Sequence, residues 1–516
     1  MGEGGEGGAV NVGRDASESS GGARAAASAA TMAAVGAVGP RSARLWLRTD
    51  AAGPFRVEIS AGAGGPRVAE VADTRAREDD GCMAFTVPDD APGVGALSPA
   101  TGHRFRINVS RTGEPVGEGR FETAPPEDSR EPFAFAFMSC HQPFRPDGSV
   151  HPDSARMLAA LEPALEARGV KYLLLIGDQI YADAPRRRRL LRADAERPLT
   201  GRPPEEIRAL YHARYRLFWS PPEVRRLQSR WPTWCIWDDH EVADDWGARR
   251  KHSRPEWRSV FEGARQAFVN YQVSRAGPAG PTPPASFHQS FVWGPSATFV
   301  MDLISQRAAF GREGRIYGDE QLDALKEFLR GQRDRPVVFV VLTVPPAYLP
   351  DWLVGLGGRL PHFGEVFGTR WNAAPNRHSL DRLFDVLRAH QREAPGRRLV
   401  LLSGDVHQGA ALSLRWPEGE RAYQFVSSPV TNAGRDWKQL LAKRLSFSLR
   451  RARHGRGHVE VKLLPGEGPA RENPFDGLNV GVVHVERDGA AVRFELITND
   501  ASQHGAARTA FDSGRL

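Results

Sequence analysis

An α/β protein with a small all-β unit in front is the fold this sequence predicts, on three observations. Short apolar runs bounded by Gly and polar residues recur from Phe133 onward and read as buried strands. Segments of helical period stand between them, the pattern of a layered α/β domain. Before Thr123, by contrast, apolar and polar residues alternate at period two, which marks half-buried strands. The chain has 516 residues. Domains run roughly 100–200 residues, so more than one unit is expected. The expected division is a low-complexity leader at 1–31, a β-sandwich at 32–125, an α/β domain at 131–500 and a tail at 501–516.

Each element follows from its local pattern. Ala43–Arg48, Phe55–Ile59 and Phe105–Val109 alternate and are separated by Gly/Pro clusters, as in a sandwich of the immunoglobulin or fibronectin type. Ala124 to Asp128 is the linker. Phe133–Met138, Tyr172–Ile176, Thr233–Trp237 and Leu399–Leu402 are buried-type strands, as are Ala297–Leu303, Val337–Val344, Tyr423–Val426 and Val482–Val485. Helices are expected from Asp153, as cap, to Arg168, and at Glu205–Phe218, Glu256–Arg275, Asp319–Arg330 and Leu380–His390. Ala276–Ala285 and Arg186–Pro204 read as loops. Pro345–Pro375 reads as a long ordered loop, and such loops often cover a site.

Bulk properties narrow the function classes. A hydrophobic fraction of 41% and a mean hydropathy of -0.44 fit a globular chain with a sizeable core. A net charge of +7, with the charges interspersed, suits anionic substrates and does not indicate dedicated nucleic-acid binding. Cys82, Cys140 and Cys235 are too few and too odd in number for a disulfide framework. No run approaches the roughly 18 apolar residues of a membrane span. Met1 to Ala30 lacks a charged segment followed by an apolar one and shows no paired arginines. Glu6 stands where lipidation would want Ser or Thr. The expectation is a disordered leader on a cytoplasmic protein.

The chemistry gathers where four apolar runs stop, at Ser139-Cys140-His141, Gly177-Asp178-Gln179-Ile180-Tyr181, Asp238-Asp239-His240-Glu241 and Ser403-Gly404-Asp405-Val406-His407. In open α/β sheets the carboxyl ends of strands are where ligands bind. Asp178 offers two oxygens that can bridge cations, and Gly177 lets the backbone turn sharply. If the strand continues, Asp405 and His407 face one way and form a pair of ligands. Gly-Asp-x-His alone also describes a capped turn. Two carboxylates and an imidazole side by side are costly without cations, so Asp239 is a ligand candidate and His240 a donor to the phosphoryl group or leaving oxygen. Asp244 and Asp245 can add oxygen. A solvated acidic loop is the plain alternative.

Cys140 and Tyr181 taken singly are core residues. Together they offer thiolate and phenolate, which stabilise trivalent iron, whereas carboxylates suit calcium or magnesium. His141 is either a ligand or a surface residue. Arg307, after another buried strand, either forks onto phosphate oxygens or pairs with a neighbouring acid. Trp231, Trp234 and Trp237 read as packing residues, Arg186–Arg189 as a solvated loop and Trp437–Arg451 as a basic surface helix rather than a membrane contact. Ser427-Ser428-Pro429 lacks the glycines of a nucleophile elbow, and no Gly-rich segment carries a P-loop lysine.

On these four ordered motifs, the chain resembles the alkaline phosphatase D-like (PhoD-like) family of metallophosphatases and phosphodiesterases, over roughly residues 30–500. The resemblance implies a calcineurin-like αββα sandwich and metal ions, iron(III) and calcium. It also implies Cys140, Asp178, Tyr181 and Asp405 on or near iron, with Asp239, Asp245 and His407 completing the shell. Two departures stand out: Asp244-Asp245 replaces an acid–amide pair, and Ile304 stands two places after a strand-end aspartate where an arginine is usual. The family is commonly exported. Metal-dependent hydrolysis of phosphomonoesters or phosphodiesters is the expected function, with His240 serving the leaving oxygen. Its rivals are a binding or scaffold protein on a degenerate phosphatase fold and a phospholipid-directed diesterase.

Overall fold

The computed structural model of the chain describes residues 31–62, 64–184, 199–277, 284–309, 314–357, 367–433, 446–503 and 505–516. The expected leader, apart from Thr31, lies outside these residues, as do the Arg186–Arg189 loop and most of the Trp437–Arg451 segment. No described helix is long and apolar enough to cross a membrane.

The front of the chain forms seven strands, Met32–Val38 (β1), Ala43–Arg48 (β2), Phe55–Ala61 (β3), Arg67–Val71 (β4), Cys82–Val87 (β5), Gly102–Val109 (β6) and Pro115–Glu122 (β7). They make a three-stranded sheet, β1-β2-β5, and a four-stranded sheet, β4-β3-β6-β7. The alternation expected from sequence appears in the burial of β3, where Phe55, Val57 and Ile59 are fully buried and Arg56 between them is exposed, and of β6. In β2, Ala43–Arg48, all six residues are buried.

Fourteen further strands build two larger sheets. They are Phe133–Met138 (β8), Val170–Ile176 (β9), Thr233–Ile236 (β10), Gln289–Trp293 (β11), Ser296–Val300 (β12), Val337–Val341 (β13) and Arg398–Ser403 (β14), then Ala410–Arg415 (β15), Arg421–Val426 (β16), Arg451–His454 (β17), Gly457–Leu463 (β18), Val480–Val485 (β19), Val492–Asn499 (β20) and Ala507–Asp512 (β21). One sheet has the order β10-β9-β8-β19-β20-β21 and the other β11-β12-β13-β14-β16-β15-β18-β17. Strands β8, β9 and β10 run parallel, as do β12, β13, β14 and β16. The sequence reading stops the domain at residue 500, but β21 pairs with β20 and closes the edge of the first sheet.

Period-two geometry sorts the core into layers. Val337, Phe339 and Val341 of β13 join the cluster that includes β8 and β9, while Val338, Val340 and Leu342 join the one lined by helices. Across the first interface Phe135 meets Phe339 edge-on at 5.0 Å, and Phe425 stacks on Phe494 at 4.5 Å. Seven described α-helices flank the sheets: Pro152–Ala167 (α1), Pro204–Phe218 (α2), Pro222–Arg230 (α3), Pro255–Tyr271 (α4), Asp319–Gly331 (α5), Asp351–Gly357 (α6) and Arg377–Glu393 (α7). The first four each begin on proline, whose fixed φ and missing N–H suit a first turn. At α1 the cap is His151, whose Nδ1 accepts the Asp153 N–H at 3.2 Å. Asp153, expected as the cap, sits inside the first turn, where its charge suits the helix dipole. The long loop 345–375 is interrupted by α6.

The N-terminal strands are tied to the rest through Arg275. This fully buried guanidinium lies 4.6 Å from the ring of Trp46 on β2 and 4.4 Å from the ring of Trp219, and it donates to Gln228 Oε1 at 2.8 Å. Trp46 Nε1 donates to the Asn270 carbonyl at 2.8 Å.

Candidate metal centre

The parallel strands of both sheets deliver their carboxyl ends to one rim. Beyond β8 stands Cys140, beyond β9 Asp178, beyond β10 Asp238 and Asp239, and beyond β14 Asp405. Two glycines permit the convergence. Gly177 has φ +96°, and a Cβ there would come 2.6 Å from Asp238 Cβ. At Gly404 a Cβ would come 2.3 Å from Ser139 Oγ, so no larger residue lets the end of β14 reach that of β8. Nine described non-glycine residues have positive φ, and five of them are Cys140, Asp178, Asp245, Asp405 and His407. Left-handed backbone costs on the order of 1–3 kcal/mol at a non-glycine residue and gathers at functional sites. It also corrects the expected strand pairing of Asp405 with His407, because β14 ends at Ser403 and both residues turn away from strand geometry.

Around Asp178 the groups touch. Cys140 Sγ lies 3.3 Å and Tyr181 OH 3.2 Å from Asp178 Oδ2. Ser428 Oγ donates to Cys140 Sγ at 3.1 Å, and Asn432 Nδ2 approaches Tyr181 OH at 3.4 Å. Glu241 ties two motifs together. Its carboxylate accepts the backbone N–H groups of Asp178 at 2.9 Å, Gln179 at 2.7 Å and Asp238 at 3.0 Å. Those bonds fill its lone pairs and make it a strut.

Four other carboxylate oxygens lack such partners. Asp178 Oδ1, both oxygens of Asp238 and Asp239 Oδ1 are buried and accept no hydrogen bond. Ligand atoms of Asp178, Asp239 and His240 lie within 4.8 Å of one another, as do those of Asp238, Asp239 and Asp405, and of Asp239, Asp244 and Asp245. Burial, reinforced by neighbouring carboxylates, pushes Asp178 and Asp238 well above the usual carboxylate range and Asp239 up to about 7. Packed anions of this kind need protons or cations to persist. The orphaned oxygens and the mixed O/S/N donor set therefore fit metal ions.

His240 stands at the edge of this group, stacked on Tyr181 at 4.0 Å, with Nδ1 2.8 Å from Asp183 Oδ1. Burial lowers its basicity, but Asp183, Asp239 and Asp178 outweigh burial and hold the imidazole protonated above its ordinary range. Arg249 bridges Asp244 at 2.6 Å and Asp245 at 2.8 Å. Arg370 pairs with Asp405 Oδ2 and lies 5.4 Å from the ring of Tyr348.

Of the residues expected from sequence, Cys140, Asp178, Tyr181, Asp239, His240, Asp245 and Asp405 come together. His407 belongs to none of the acidic groups, although its N–H donates at 3.1 Å to Ser428 Oγ, the hydroxyl that reaches Cys140. Among the described residues Arg307 forms no ion pair with an acid; its Nη2 donates to the Thr369 carbonyl at 2.8 Å. His141 is neither ligand nor surface residue. It is buried, with Nε2 donating to the Phe218 carbonyl at 2.8 Å and Nδ1 facing Thr431 Oγ1 at 3.0 Å. Burial drops its pKa to about 4. Sequence reasoning missed Asp238, Asp183, Glu241, Ser428, Asn432 and Arg370. Asp238 and Glu241 sit inside the Asp-Asp-His-Glu motif and Asp183 two residues past the Gly-Asp motif; Arg370 carried no local signal.

Residues 135–463 match the profile of the PhoD-like phosphatase family. A solved structure of PhoD superposes with a TM-score of 0.64 at 15% identity, covering 93% of this chain and 88% of that one. A purple acid phosphatase, PPD1 from yellow lupin (Lupinus luteus) seeds, superposes with a TM-score of 0.56 at 11% identity, covering 93% of this chain and 73% of that one. No curated protein matches the chain.

Proposed function

The chain belongs to the PhoD-like phosphatase family, and from that premise we propose that it is a metal-dependent hydrolase of phosphomonoesters, phosphodiesters or both. The observation that carries the metal is the set of four buried, unpartnered oxygens on Asp178, Asp238 and Asp239. In this reading Cys140, Asp178, Tyr181 and Asp405 would lie on or near iron(III), and Asp239, Asp245 and His407 would complete the metal shell, calcium included, with Asp238 beside them. Thiolate and phenolate favour the trivalent ion and carboxylates the hard divalent one. The two facing sheets and flanking helices form a calcineurin-like αββα sandwich, with residues 32–125 as a separate sandwich before it.

Bound metal ions would neutralise charge on the phosphoryl oxygens and ready a water for attack. The chain's own residues do the rest. Asp183 engages His240 Nδ1, which leaves the other ring nitrogen to hydrogen-bond or protonate the leaving oxygen. Arg249 holds the Asp244-Asp245 pair in place. Glu241 fixes the turns that aim Asp178 and Asp238.

The test is hydrolysis of p-nitrophenyl phosphate and its bis ester by purified protein. Asp178→Asn should lower the rate by roughly a thousandfold, the several kcal/mol withdrawn with a metal site. Equal activity in variant and parent would refute the assignment. Elemental analysis should find iron and calcium, and a visible charge-transfer band should vanish in Tyr181→Phe.

A further inference from the structure

Resting on that reading, we propose that Arg370 is the residue that binds the non-bridging oxygens of the substrate's phosphoryl group, and that Arg307 positions it. Arg370 reaches the rim from the long loop after β13, at a distance in sequence from any motif. Among the described residues, Asp405 is the sole hydrogen-bond acceptor of its guanidinium, which uses one N–H of the five available. Its side chain keeps 14% exposure at the edge of the acidic cluster, and its other N–H groups have no acceptor among the described residues. Asp245 lies close enough to act on it electrostatically, as does Asp405. A guanidinium so placed meets a phosphoryl group with a planar, permanently charged fork.

The backbone around Arg370 is held for that task. Asn376 Nδ2 donates to the Gly368 carbonyl at 2.7 Å and to the Arg370 carbonyl at 2.9 Å. Arg307 donates to the Thr369 carbonyl at 2.8 Å, one residue before Arg370. The face of Tyr348 supports the guanidinium from one side. Arg307 thus acts through the loop and does not touch substrate. At the end of β12, where a shorter reach to phosphate would start, Asp302 is buried and bonded to the Ile304 N–H at 2.9 Å and to Trp237 Nε1 at 2.9 Å.

The experiment compares Arg370→Met, Arg370→Lys and Arg307→Met with the parent enzyme. It reads kcat, KM and inhibition by inorganic phosphate with p-nitrophenyl phosphate, together with metal content by elemental analysis. A lost charge-assisted contact corresponds to about 10- to 100-fold in affinity. Arg370→Met should raise KM and the phosphate inhibition constant by that factor with metal content unchanged, and Arg370→Lys should recover part of it. Arg307→Met should raise KM by less and leave metal content unchanged. Unaltered KM and phosphate inhibition in Arg370→Met would overturn the inference, as would loss of metal without a change in phosphate inhibition, which marks a counter-ion of Asp405 alone. A parent enzyme inactive on both esters would sink the proposed function instead.

Discussion

At the scale of single residues, the site depends on backbone that ordinary side chains avoid. Gly177→Ala adds a Cβ that must pass within 2.6 Å of Asp238 at a φ of +96°. The expected cost is about 3 kcal/mol, read as a lowered denaturant midpoint, with activity lost in parallel because Asp178 is the next residue. The ligand types were legible in sequence because each directly follows an apolar run, so strand and chemistry announce one another. Direction was not legible. Asp405 and His407 adopt φ of 61° and 53°, which no alternation rule foresees. Arg370 escaped because its partner Asp405 is 35 residues away along the chain, and only the folded loop brings them together.

At the scale of elements, the parallel strands of the large domain and the longer helices between them were readable, since those strands are buried on both faces and leave unbroken apolar runs. Strands β11, β15, β17, β18 and β20 and the short helices α3 and α6 were not. Edge strands were harder. Strand β21 reads Ala-Arg-Thr-Ala-Phe-Asp, with one large apolar residue, and its place beside β20 comes from long-range pairing. Phe511 is nonetheless fully buried, 6.3 Å from Phe494. Phe511→Ala should therefore cost about 3–4 kcal/mol in urea denaturation, as for a core residue, whereas a loose tail would register nothing.

At the scale of the whole molecule, one carboxylate joins several elements. Glu495 on β20 meets Arg168 after α1 at 2.8 Å, His484 on β19 at 3.0 Å and Arg493 at 3.0 Å. Burial opposes its ionisation, but His484 and Arg168 prevail and bring its pKa down to about 2. A depressed carboxylate stabilises the fold above its unfolded pKa, and that stability is lost as pH falls toward the folded value. Between about pH 4.5 and 2, Glu495→Gln should thus lose less stability than the parent, by about 2 kcal/mol after allowance for solvent screening. Thermal melts at several pH values check this.

The indole–guanidinium–indole stack of Trp46, Arg275 and Trp219 has a consequence for limited digestion. Arg130, whose side chain is 66% exposed, invites trypsin at the junction between the front strands and the rest. Cleavage there should give two bands on a denaturing gel but a single peak on size exclusion, because the severed halves stay docked. Removing the guanidinium by Arg275→Met should weaken that docking, so that the nicked front piece separates at a lower denaturant concentration than in the parent.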